Sequence, residues 1–401
     1  MDSNVAQMRD LSANFYLTPD DAGEEPRDQA CVSKLAELNS FVEVEVASGE
    51  LDKDLIDDYD VIVMTEIFDD IDDTIRINQI CRDNNKGFIL TQCLGAYGYV
   101  FVDFGDEFEV KDKTGEEHKS FNIVGITNDE EAELTVHKGK IHNFSDGDYV
   151  VFREIKGMDE LNELDEPVKI SVIDSYTIRL HIDTTDFGKY KIDGIVQSVN
   201  HPETINFKSL EDSIKNPINE KNGSLLMSDF SLFGRPEQLH VGLQAIYEFQ
   251  LRHRKLPKNC RKHVHEVVEI ATKINEDNKQ NNNGLFVDEL DKSVIKLMSK
   301  FSRAQVTPMT SFFGGIVSQE VVKFTGKFTP INNQWFHFDM FLSLPNERVD
   351  RTPTGSRYDD QIALFGKNFQ KKIETQKIFV IGAGALGCEL MKSFALMGLA
   401  C

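Results

Sequence analysis

IGAGALGC, Ile381 to Cys388, follows the apolar run Ile378 to Ile381 and precedes the helix-patterned ELMKSFALMG. Glycines at Gly382, Gly384 and Gly387, set between a strand pattern and a helix pattern, predict the turn that opens a Rossmann-type βαβ unit. In such a turn the backbone N–H groups of Ala383, Gly384, Ala385 and on to Gly387 stand at a helix N-terminus, where phosphate is favoured. Glycines so spaced also serve helix packing, so the motif by itself leaves both readings open.

Composition narrows what surrounds this turn. A chain of 401 residues has room for two to four domains, each with its own core. Six cysteines without a C-x-x-C pair argue against structural zinc and against a disulfide framework, and read as reduced thiols in an intracellular protein. Forty-four Lys and Arg against 67 Asp and Glu give −23, a charge that repels nucleic acid and anionic membranes unless the fold gathers a basic patch. The N-terminus has no cationic stretch with an apolar core behind it, and no segment reaches the length of a membrane span, so a soluble protein is expected.

Upstream, residues 1–103 alternate helix and strand patterns: FVEVEV (41–46) at period two, VIVM (61–64) as a short buried strand, a helix over 71–82 and a strand at 88–90. From Phe104 short alternating strands follow at 133–136, 149–152, 168–172 and 176–180, with turn signals at Asn128-Asp129 and Asp146-Gly147, which predicts a small β-barrel. Helical spacing then recurs in Leu239 to Leu251, Val264 to Ile274 and Leu290 to Phe301, with NEDNKQNNN (275–283) read as a flexible inter-helix loop. The α/β pattern returns where Gly314-Gly315 opens a helix and Gln334 to Phe338 forms a strand. Two insertions into one parent α/β domain account for this order. A linker at 345–354 and the helix SRYDDQIALFGKNFQKKI lead into the glycines.

The sequence SRYDDQIALFGKNFQKKI, with IFVIGAGALGCELMKSFALMGL, GYVFVDFGDEFEV, SFFGGIVSQEVVK, GKFTPINNQWFHFD and KLAELNSFVEVEV, resembles the ubiquitin-activating enzymes, in the order that family carries them. The resemblance implies an α/β Rossmann-like adenylation domain of the ThiF/MoeB type with an inserted β-barrel and an inserted helical bundle. By that layout 1–103 and 304–345 form an inactive adenylation domain, 104–197 the first catalytic-cysteine half-domain and 198–303 a four-helix bundle. Residues 346–355 are a linker, and 356–401 start the active adenylation domain. The chain is then expected to be a fragment, lacking the inactive domain's own glycine turn and most of the active domain.

The function so implied is ATP- and Mg2+-dependent adenylation of the ubiquitin C-terminus, followed by a thioester to a cysteine expected beyond Cys401. Transfer to ubiquitin-conjugating enzymes would use a C-terminal domain, in a cytoplasmic and nuclear monomer with an internal pseudo-dimer. The nucleotide residues implied in this chain are Gly382, Ala383, Gly384, Ala385 and Gly387, with no catalytic residue and no metal ligand among the 401. A related modifier, a non-catalytic binding module and a nicotinamide dehydrogenase are the alternatives.

Departures from the family pattern support an inactive first half. Asp10 to Asn14 puts Ala13 where active domains carry an Arg, and Glu24-Glu25 stand near where they carry a Lys. Thr65-Glu66 follows VIVM where an Asp would hold magnesium, although Glu66 retains the capacity to bind a metal. Elsewhere Cys388 reads as a small core residue, and His253, His263, His265 and Glu266 as a solvated helix face. Asp69 to Asp73 read as a helix start, and Arg357 as either structural or reaching toward a nucleotide.

Overall fold

Phe88–Leu90 and Val100–Val102 are unbroken apolar runs, the pattern of strands covered on both faces, and both lie in the centre of a sheet with every one of these residues fully buried. The computed structural model describes residues 1–399 apart from 68, 69, 140, 220–222, 228 and 332. Two units are present: Met1–Asp106 with Phe207–Phe324 and Pro330–Cys401, and Glu107–Asn206 with Thr325–Thr329.

The first unit starts with α1 (Arg27–Ala36), α2 (Lys53–Asp57), β1 (Val61–Met64), α3 (Ile71–Asp83), β2 (Gly87–Leu94) and β3 (Tyr97–Asp103). In the second unit β4 (Phe108–Val110) is followed by β5 (Ser120–Ile126), β6 (Glu133–Val136), β7 (Tyr149–Arg153), β8 (Val168–Val172), β9 (Thr177–Leu180), β10 (Ile195–Val199) and β11 (Glu203–Ile205). The first unit resumes with α4 (Leu210–Lys215), α5 (Arg235–His253), α6 (Arg261–Asn281), α7 (Lys292–Phe301), α8 (Thr307–Lys323) and β12 (Trp335–Asp339). It closes with α9 (Asp359–Phe365), α10 (Lys367–Glu374) and α11 (Ala385–Met397).

Six antiparallel strands of the second unit close into a barrel in the order β10-β5-β6-β9-β8-β7. Alternation decides what fills it: Leu134, Val136, Val150, Ile170, Ile178, Leu180 and Val196 point inward and are fully buried. Both sequence turn signals hold the rim. Asn128 donates from Nδ2 to the carbonyls of Thr184, Phe187 and Gly188, and Asp146 accepts from the Val172 N–H at 2.6 Å. Gly147 beside it sits at φ +87°, which only glycine adopts freely.

In the first unit the sheet order is β1-β2-β3-β12, with β1 parallel to β2 and the other neighbours antiparallel. Behind the sheet a chain of hydrogen bonds fastens it to the helices. His240 Nε2 lies 2.8 Å from the Ile214 carbonyl, which can only accept, so Nε2 carries the proton. Its Nδ1 must then accept from His337 Nε2 at 3.2 Å, and His337 Nδ1 accepts from the Tyr97 hydroxyl at 2.9 Å. Every partner is satisfied only while both rings are neutral. Full burial pushes His240 down to about 4 and His337 well below its ordinary value.

Asp103, 1% exposed, ends β3. It accepts from Arg82 at 2.7 Å, Asn78 at 2.8 Å and the Gly105 N–H at 2.9 Å. Asn78 in turn accepts the Leu210 N–H at 2.9 Å, and the Phe207 N–H reaches the Gly105 carbonyl at 3.1 Å. The chain therefore leaves this unit and re-enters it at one place, as an insertion requires.

Several expectations are corrected. Residues 41–46 form no strand, and Phe41 is 97% exposed: the alternation is present, but among the described residues it pairs with no strand. VIVM is an edge strand in which only Met64 is buried. Gly314 and Gly315 lie within α8 rather than at its start. Asn275 to Asn281 continue α6 instead of looping, because the buried Asn275 amide pairs with both backbone groups of Val287, at 2.9 and 2.8 Å. SRYDDQIALFGKNFQKKI is two helices, broken at Gly366, where φ is +87° and a Cβ would meet Val349 at 2.8 Å. Among the described residues no helix is long and apolar enough to cross a membrane.

Removing Asp103 would leave the Asn78 amide and the Gly105 N–H without their acceptor and Arg82 with only the exposed Asp106, so Asp103→Ala is expected to cost about 2–4 kcal/mol in urea denaturation. The unfolded chain takes up a proton on His240 near pH 6.5 but the folded chain only near 4, so stability is lost as pH falls through that window. The loss traceable to His240 is about 3 kcal/mol, and His240→Gln should flatten the pH dependence of unfolding while lowering stability at neutral pH.

Candidate functional site

Thr65 and Glu66 follow β1, and Thr91 to Cys93 lie near the carboxyl end of β2; the space beyond these carboxyl ends is where open α/β sheets bind ligands. A cavity of about 1320 Å3 occupies it, walled by residues 13–16, by α8 from Thr310 to Gly315 and by Leu386 and Leu390 of α11. Ala13 faces this cavity as a bare methyl. Among its described charged residues Asp2, Asp10, Glu66 and Glu389 outnumber Arg27 and Lys392.

Neither cation is free. Arg27 pairs with Asp2 at 2.7 Å and with Glu66 at 2.6 Å, and Lys392 pairs with Glu389. Burial works against the Arg27 charge, but hydrogen bonds to the two carboxylates override it and raise its pKa. Glu66 also accepts from Asn4 at 3.2 Å, so the capacity for metal foreseen at Glu66 is taken up by Arg27 and Asn4. No cluster of metal-ligating side chains occurs among the described residues. Burial pushes the Cys93 thiol on the cavity wall up to about 12, which keeps it protonated and unreactive.

The glycine turn forms without the strand expected before it. Ile378 to Ile381 are in no strand, and Phe379 and Ile381 are each 88% exposed, since no neighbouring strand offers them a ladder. The turn itself is closed: Gly382 is at φ +101°, Gly384 is the N-cap of α11, and a Cβ on Gly387 would lie 2.1 Å from the Gly382 carbonyl oxygen. Ala383 and Ala385 complete it. The Cys388 N–H is the first that bonds back, to Gly384 at 2.9 Å, so the first-turn donors ahead of it point out of the helix end. These donors fit a phosphate. Cys388 is exposed rather than in a core, its Sγ 3.4 Å from the Ala383 carbonyl, because this face of α11 is uncovered.

Other sequence candidates divide. His253 and Glu266 meet at 2.7 Å, and the His253 and His263 rings stack at 5.9 Å, so these three pack across the α5–α6 turn instead of lining a solvated face. His265 points away, to Glu269 at 3.3 Å. Asp70 caps α3, with Asp72 and Asp73 in its first turn; Asp69 lies outside the described residues. Arg357 donates to the Leu11 carbonyl, a structural contact. Sequence reading missed the clamp beside it: Arg9 pairs at 2.7 Å with Asp360, which also accepts the Gln305 N–H at 2.9 Å. Nothing in the spacing of residues 351 apart signals such a pair.

A glycine turn on an α/β frame, a closed six-stranded barrel and a helical bundle define a multidomain chain of the ThiF class, and residues 358–400 match the ThiF family. Residues 129–200 match the ubiquitin-activating enzyme E1 FCCH domain, and 201–275 the ubiquitin-activating enzyme E1 four-helix bundle. Along its whole length the chain is 40% identical to ubiquitin-activating enzyme E1 2 of Triticum aestivum and 39% identical to ubiquitin-activating enzyme E1 1 of Arabidopsis thaliana. It is 36% identical to ubiquitin-like modifier-activating enzyme 1 of Oryctolagus cuniculus. The chain belongs to the ubiquitin-activating enzyme E1 family, and it spans 36–37% of the length of these relatives.

Arg27 joins the N-terminal Asp2 to Glu66 after β1, so Arg27→Met leaves two part-buried carboxylates facing each other. A loss of about 1–3 kcal/mol in urea denaturation at pH 7 is expected, and Glu66→Gln in the same chain should recover part of it.

Proposed function

We propose that this chain is the portion of an ATP-dependent ubiquitin-activating enzyme that holds its inactive adenylation half, its first catalytic-cysteine half-domain and the opening turn of its active half. Identity of 36–40% along the whole chain, in one unbroken order, carries the reading. Ubiquitin is favoured over other modifiers by the names of the relatives at 39–40%.

Within that enzyme the chain's own residues do two things. Gly382, Ala383, Gly384, Ala385 and Gly387 hold the ATP phosphates on backbone N–H groups at the N-terminus of α11, where the helix dipole adds to the attraction. ATP supplies the adenylyl group that turns the ubiquitin C-terminal carboxylate into an acyl donor. The cavity beside β1 and β2 binds no nucleotide of its own: its carboxylates exceed its cations, and both cations are spent on internal pairs. Magnesium ligands, the nucleophilic cysteine and the surface that receives conjugating enzymes are supplied from elsewhere in the enzyme. We place it in cytoplasm and nucleus, as a monomer in which the two adenylation halves form a pseudo-dimer.

Ubiquitin-dependent ATP–pyrophosphate exchange tests the proposal. The purified 401-residue chain is expected to show none, because the segment before the glycines forms no strand and the cavity beside β1 and β2, richer in carboxylates than in cations, repels triphosphate. The endogenous polypeptide captured with an antibody to the barrel is expected to show exchange and a thiol-sensitive ubiquitin adduct. A captured polypeptide without exchange would sink the reading.

A further inference from the structure

The chain carries −23, yet between Arg252 and Lys262 it has six cations and no carboxylate, which leaves −29 for the remainder. These residues form the corner where α5 ends and α6 begins. Two of the six are committed: Arg252 to Glu248 at 2.7 Å, and Arg254 to Asp70. Lys255, Lys258, Arg261 and Lys262 are all exposed, and among the described residues they make no ion pair.

The corner is held in place from behind. Arg303 Nε donates to the Leu256 carbonyl at 2.9 Å, Ser302 to the Pro257 carbonyl at 3.1 Å, and the Lys258 N–H to His263 Nδ1 at 2.9 Å. His263 is packed in turn against Phe249 and His253. Four free cations are thus presented on a fixed scaffold, where like charges repel and a counter-anion is the missing neighbour. Nothing in the site described above uses them.

We propose that this corner is a docking surface for a short acidic segment of another polypeptide, rich in Asp, Glu or phosphorylated side chains. Length decides against a polynucleotide. Glu248, Asp70, Glu266 and Glu269 flank the corner. Glu248 and Asp70 are balanced by Arg252 and Arg254, but an anion that outruns the four cations along α6 meets Glu266 and Glu269, about 6 and 10 Å past Lys262 at 1.5 Å per residue, on the scale of a Debye length of about 8–10 Å. A segment of a few acidic residues ends before that repulsion begins. Lysine recognises such carboxylates as a point charge, and Arg261 can grip one with two parallel hydrogen bonds.

Fluorescence anisotropy of the full chain tests this with a labelled dodecapeptide of alternating Asp and Ser. Binding is expected at 20 mM salt and should weaken at least tenfold by 150 mM. The quadruple variant Lys255→Glu, Lys258→Glu, Arg261→Glu, Lys262→Glu should lose at least tenfold at low salt. The milder pair Lys258→Gln, Lys262→Gln should lose about threefold, which keeps the test valid if the quadruple variant melts early. Heptathymidylate, of equal charge, should bind no more tightly than the peptide, and lengthening it to twenty nucleotides should bring no gain. Unchanged peptide affinity in both variants overturns the proposal, as does affinity that climbs with oligonucleotide length. Sedimentation showing that the corner pairs with a second copy of this chain at low salt would also overturn it.

Discussion

The buried carboxylate of Asp103 is the point at which the first unit's parts are joined. It sits where β3 ends and the chain departs for the barrel, and burial pushes its pKa up, against the opposing pull of Asn78, Arg82 and the Gly105 N–H. Because Asn78 receives Leu210 as well, one side chain on α3 connects the departing strand to the first residue of α4 on the returning chain. Gln334, just ahead of β12, repeats the arrangement by bonding both Val102 and Lys208. An insertion of a hundred residues is tolerated when its two ends are fixed at one spot, since loop length then costs little.

The second join is a matter of proton placement. Ile214, His240, His337 and Tyr97 form one directed line of donors from Tyr97 to the Ile214 carbonyl, and reversing any member would set two donors or two acceptors face to face. Trp335 adds a 2.7 Å bond to Ser213, so α4, α5 and the two strands β3 and β12 share one polar network inside an apolar core. A satisfied buried network fixes a unique arrangement at low cost, whereas a proton added to it has nowhere to go.

How much of this could be read beforehand depends on what alternation encodes. The barrel strands and their turns were legible, because Leu134, Val136, Ile178 and Leu180 need only a face to bury, and Asn128 and Asp146 need only their own rim. The helix over 71–82 was legible for the same reason. FVEVEV carries the same period and failed, since period two names a face but not a neighbouring edge. Asn275 failed for the opposite reason: a polar residue in an Asn-rich run was a buried structural amide. At the candidate site the glycines were legible from spacing. Arg27 with Glu66 and Arg9 with Asp360 were not, because a long-range pair leaves no local trace.

Arg27 also bears on how an α/β cavity settles a cation that no ligand balances. A guanidinium in a ligand site is balanced by the ligand's charge; without it, a part-buried cation must find carboxylates in its own chain or be lost. Arg27 has found Asp2 and Glu66, and the result ties Asp2 to the end of β1 on the wall of the cavity. Arg9 has found Asp360 on α9. Leu386 and Leu390 of α11 complete the cavity wall, so the helix that carries the glycine turn rests on the cavity that Arg27 and its two carboxylates line. The inactive half, in the function proposed, thereby serves the turn as a floor: its charge is settled internally, and its shape sets where the first turn of α11 can stand.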